Sequence, residues 1–162
     1  MRASRHSSEL RVPTKAVAVR LALVGGLPTP AELFVTDVPR RGHGQLLDDL
    51  AALVLAPKTF LPVKWSNRVR LLGKHAIAWI AIGHEPTDDV TLYDREHIVE
   101  LELLRGTKLL GNLLDSAPLD RTRVIDHLNG AGAFVRLWTA DAHYLVNTQQ
   151  IVAVTELGGE AR

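Results

Sequence analysis

The chain has 162 residues, 46% of them hydrophobic and 23% charged, with a net charge of +1 and no cysteine. This is an ordinary globular composition, with material for one large core or two small ones, and no apolar run approaches the ~20 residues of a membrane span. The lack of cysteine excludes disulfides and thiolate metal sites and fits a reducing, cytoplasmic setting. The near-neutral total conceals an asymmetry. Met1 to Glu85 carries 12 basic and 6 acidic residues, whereas Pro86 to Arg162 carries 7 and 12. Opposite halves point to complementary faces, either within the chain or between neighbouring chains, or to no more than the drift of solvated surfaces.

Residues 1–14 read as a disordered arm, polar and arginine-bearing, without the apolar stretch of a secretory signal. Residues 15–83 form a first module. Lys15 to Val24 and Glu32 to Val38 alternate as strands around a turn containing Pro28 and Pro30. Gln45 to Ala56 has helical composition, with Leu46, Leu47, Leu50, Leu53 and Val54 on one face and Pro57 ending it. Phe60 to Trp65 and Val69 to Leu72 make a hairpin across Ser66-Asn67, and Ala76 to Ile82 is a further strand. Residues 84–97 are a linker. Residues 98–157 form a second module. Ile98 to Leu104 and Lys108 to Leu114 are strands around Arg105-Gly106-Thr107. Asp120 or Thr122 caps a short helix over Arg123 to Asn129, which Gly130-Ala131-Gly132 closes. Ala133 to Trp138, Tyr144 to Val146 and Ile151 to Leu157 complete the strands, and residues 158–162 are a tail.

The modules match in order. Val19-Arg20-Leu21-Ala22-Leu23 matches Val99-Glu100-Leu101-Glu102-Leu103, and Leu46-Leu47-Asp48-Asp49-Leu50 matches Val124-Ile125-Asp126-His127-Leu128. Phe60 to Val63 matches Phe134 to Leu137, and Leu71 to Ile77 matches Leu145 to Ile151. The spacing shortens from 80 to 74 residues, as small loop deletions require. Four ordered matches imply a tandem duplication. Leu21, Leu23, Leu101 and Leu103 fall on the core face of each first strand. Phe60 and Phe134, at equivalent strand starts, read as core residues. The expected fold is mainly β: two tandem SH3-like or Sm-like small barrels, each with a short helix inserted between its second and third strands.

The stretch Val99 to Asp115 (VELELLRGTKLLGNLLD) resembles the first signature of Sm-like proteins, including the bacterial Hfq type, through Gly106, Lys108, Leu109 and Gly111. Lys74-His75-Ala76-Ile77 resembles the second signature of the Hfq type. The resemblance implies strongly bent five-stranded sheets whose edge strands pair with the next module to build a ring. It also implies a uridine-binding role for Lys74 and His75, where the second module has Thr148 and Gln149.

The remaining chemistry is sparse. Seven histidines show no metal-ligand spacing, no nucleophile motif is present, and Asp48-Asp49 and Asp88-Asp89 are adjacent pairs that do not face one point. No enzyme, metal or cofactor is expected. Arg40 and Arg41 before the first helix, and Arg121 and Arg123 at the second, place cations at helix N-termini, where an anion would be welcome. Two functions remain open. One is a binding and assembly module that forms a homo-oligomer or takes a protein partner through barrel edges. The other is an Sm-like RNA-binding protein using Lys74, His75, Arg40, Arg41, Arg121 and Arg123.

Overall fold

The computed structural model describes residues 13–36, 45–84, 97–114 and 123–158. The elements in chain order are β1 (Thr14–Leu23), β2 (Thr29–Thr36), α1 (Gln45–Leu55), β3 (Phe60–Trp65), β4 (Arg68–Gly73), β5 (Ile77–Gly83), β6 (Ile98–Leu103), β7 (Lys108–Leu113), α2 (Val124–Gly130), β8 (Phe134–Trp138), β9 (Ala142–Asn147) and β10 (Ile151–Gly158). Mainly β architecture and both inserted helices therefore agree with the sequence reading. The arm before Pro13, most of the linker and the end of the tail lie outside the described residues.

The two closed barrels do not form. The ten strands make one open antiparallel sheet in the order β10-β6-β7-β8-β9-β5-β1-β2-β3-β4. Its two runs of five, β5-β1-β2-β3-β4 and β10-β6-β7-β8-β9, have the same internal order. They meet where β5 pairs with β9, Ile80 opposite Leu145 and Ile82 opposite His143. At this joint β5 is covered on both faces and paired on both edges, with β1 on one side and β9 on the other. Its sequence, IAWIAIG, is apolar on both faces, the pattern of a strand covered on both sides. Ile80 and Ile82 face one core with Leu21, Leu33, Leu50, Phe134 and Leu145. Trp79 and Ala81 face a second core with Leu101, Leu103, Leu137 and Val146. Pairing with β9 also satisfies the backbone groups along that side of β5, which burial without a partner would leave costly.

Local chemistry explains the turns and bends. Ser66 and Asn67 both hold positive φ, at 50° and 61°, which closes β3 and β4 as a two-residue hairpin with the right twist. At Gly111 in β7 a Cβ would collide with the Trp138 carbonyl oxygen, so only glycine lets β7 and β8 approach so closely. Leu21 and Leu101 are fully buried and Leu103 nearly so, while Leu23 is half-buried. One expectation at α2 is corrected. Its N-cap is Arg123, without a side-chain cap hydrogen bond; Asp120 and Thr122 lie outside the described residues. The helix ends at Gly130, within the expected Gly130-Ala131-Gly132 stop, where Ala131 caps it in extended conformation and donates its N–H to the Leu128 carbonyl.

Candidate functional site

The two Sm-like pocket candidates part company. Both lie in the 3-10 turn Lys74–Ala76 between β4 and β5. Lys74 is buried, and its Nζ donates to the Ala56 carbonyl oxygen at 2.6 Å, just past the last residue of α1. An ammonium there meets the negative end of the helix dipole. Burial, with Lys58 nearby, pushes its pKa down. His75 is exposed, its ring packed over Gly73. The matched turn Thr148–Gln150 repeats the arrangement. Thr148 Oγ1 donates to the Ala133 carbonyl beyond α2 at 3.2 Å, and the N–H groups of Lys74 and Thr148 each donate at 2.9 Å, to Thr59 and Ala133. Lys74 and Thr148 thus fasten each block's helix end to the turn before its last strand.

Of the arginine candidates, Arg123 lies among the described residues. Arg123 is exposed and makes a bidentate pair with Asp126 three residues on, at 2.7 and 3.1 Å, which raises its pKa. Its own helix therefore supplies the anion that the sequence reading looked for outside. Arg40, Arg41 and Arg121 lie outside the described residues. Among the described residues no group of three or more His, Asp or Glu is placed to hold a metal ion, and no helix is long and apolar enough to cross a membrane.

The joint between the blocks is densely built. His143 in β9 is 1% exposed, its Nδ1 makes no hydrogen bond among the described residues, and burial with Arg136 nearby lowers its pKa to about 3. Arg136 in β8 reaches Asp48 of α1 at 3.1 Å, tying the second block to the helix of the first. His84 stacks on Trp138 with ring centroids 3.8 Å apart and hydrogen-bonds the Thr139 carbonyl at 2.7 Å. Sequence reading missed this cluster, since its members are scattered along the chain.

The outer strands contrast with that joint. All six residues of β9 are buried, whereas β4, its counterpart by order, exposes Arg68, Val69, Arg70 and Leu71. β5 is buried along most of its length, whereas β10 exposes Val152, Ala153, Thr155, Glu156 and Leu157. Phe60 was expected in the core beside its match Phe134. Phe134 is buried, but Phe60 is 57% exposed on β3, next to β4. At the far end, a groove of about 550 Å³ lies between α2 and β10, lined by His97, Val124, Ile125, Leu128, Val154 and Glu156 among others.

No protein-family model, curated protein or solved structure matches the chain.

Proposed function

We propose that the protein is a non-catalytic assembly module that associates head to tail with copies of itself through β4 and β10. One observation carries this reading: the strand types that bury each other at the β5–β9 joint are exposed in β10 and β4 at the ends of the sheet. Open edges present unpaired N–H and C=O groups, and natural proteins cover or blunt them. Here β4 carries Val69 and Leu71, 63% and 70% exposed, and β10 carries Val152 and Leu157. The ends are also opposite in charge. Arg68 and Arg70 stand on β4, with Glu156 on β10 and Glu100 and Glu102 on the neighbouring β6. The Sm-like resemblance supports the same reading, because it implies rings built by edge pairing. Three chains would supply six blocks for such a ring. Sedimentation velocity at rising protein concentration tests this, with discrete oligomers expected that weaken as salt screens the opposite ends. A strict monomer up to about 0.1 mM overturns it.

A second reading, RNA binding, is favoured by the exposed basic side chains of the β3–β4 hairpin and its neighbours, Lys64, Arg68, Arg70 and His75. Arg70 lies 5.3 Å from the Trp65 ring centroid, a cation–aromatic pair that a stacked base would extend. Titrating a U-rich oligonucleotide against salt tests it. Phosphate contacts predict a steep fall in affinity, and no affinity at low salt removes the reading.

A further inference from the structure

We infer that the groove between α2 and β10 is the socket for Phe60 and Leu71 of a second copy of this chain, an inference that rests on the assembly reading above. The argument starts from the matched residues. Phe134 and Leu145 of the second block are buried in the core of the first, together with Leu50, Ile80 and Ile82. Their matches in the first block are Phe60 and Leu71, and both are exposed. The matches of Leu50 and Ile80 are Leu128 and Val154, and both line the groove. So the chain holds a filled hole with its two plugs at the internal joint. Among the described residues it also holds the same hole unfilled at one end and the same plugs uncovered at the other.

The strand register extends the correspondence. Inside the chain Ile80 stands opposite Leu145 and Ile82 opposite His143. Carried to the matched strands, Val154 of one copy stands opposite Leu71 of the next, and Glu156 opposite Val69. Arg70 then faces Thr155, with Glu100 one strand further in, because Thr155 pairs with Glu100 across β10 and β6. Leu71 and Val69 then fall on the groove side of the new pair, against Val154 and Glu156, and Arg70 and Glu100 on the other. The joint is heterologous: plug and socket are different surfaces, so each copy offers one of each.

The test uses two full-length variants, Phe60→Asp and Ile125→Asp. Both residues are more than half exposed, so the fold tolerates the changes, and circular dichroism checks it. Phe60→Asp spoils the plug and Ile125→Asp the socket. Alone, each variant is expected to sediment as a monomer at concentrations where the wild type assembles. Mixed in equal amounts they are expected to form a one-to-one heterodimer and stop, since a single intact plug meets a single intact socket. The milder Leu71→Ala is expected to weaken wild-type association about tenfold or more. If the wild type is monomeric, the assembly reading fails and this inference with it. If the wild type assembles but either aspartate variant still self-associates as well, or the mixture stays monomeric, the socket is wrong while self-association stands.

Discussion

At the residue scale, Lys74 and His143 show how position decides chemistry. The sequence resemblance implies an RNA-binding role for Lys74, and in the fold its ammonium donates to the carbonyl beyond α1. That helix end is distant in sequence and close only in space, so no local pattern disclosed it. His143 is a buried imidazole in a turn-flanking stretch that reads as ordinary polar loop. With a folded pKa of about 3 against 6.5 when free, it is neutral in the fold and takes up a proton on unfolding at mildly acidic pH. The unfolded state then binds more protons, so the neutral imidazole's contribution is fully present above pH 6.5 and is lost as pH falls toward 3. The slope is expected to approach about 1.4 kcal/mol per pH unit within that window. Urea unfolding at several pH values checks this, with His143→Phe expected to flatten the dependence. An unchanged slope in the variant would assign the acid sensitivity to other groups.

At the scale of elements, alternation made most strands legible. Val99, Leu101 and Leu103 alternate with Glu100, Glu102 and Leu104, and the first three are buried. Leu101→Ala is expected to cost about 2–5 kcal/mol in chemical denaturation, by lost transfer energy and the cavity left behind. A cost below about half a kcal/mol would mean that the strand's inward face is misassigned. The inserted helices were legible too, because helical spacing in Gln45 to Leu55 follows a strand pair and Pro57 stops it. What local pattern leaves open is where an edge strand finds its partner. Nothing in IAWIAIG distinguishes a strand that closes its own barrel from one that pairs with β9; both need cover on two faces. Phe60 was misplaced for the same reason. Its match with Phe134 marks a core-type residue, and whether such a residue is covered depends on what stands beyond the sheet edge.

At the scale of the whole molecule, the internal joint and the proposed joint between chains differ at two residues. The internal core includes Val17 and Ile82. Their matches in the groove beside α2 are His97 and Glu156, with His97 Nδ1 4.0 Å from Glu156 Oε1. Glu156 is well exposed in the single chain, so docking a second copy against it takes a carboxylate out of water. Burying a charge beside Phe60 and Leu71 opposes association unless a partner compensates, and His97 supplies one only when protonated. The internal joint has Val17 and Ile82 in those two places and adds the Asp48–Arg136 pair. In the proposed assembly the joint between chains is therefore expected to be the weaker and reversible one, with the charge asymmetry of the halves ordering the copies. His97→Val with Glu156→Ile gives the outer socket the lining of the inner one. That double variant is expected to self-associate about tenfold more tightly or better, with a larger oligomer fraction at equal concentration in sedimentation. Weaker association in the double variant would mean that Glu156 attracts the arginines of β4 more than it resists burial, and the outer joint would then be held by charge rather than by its apolar plug.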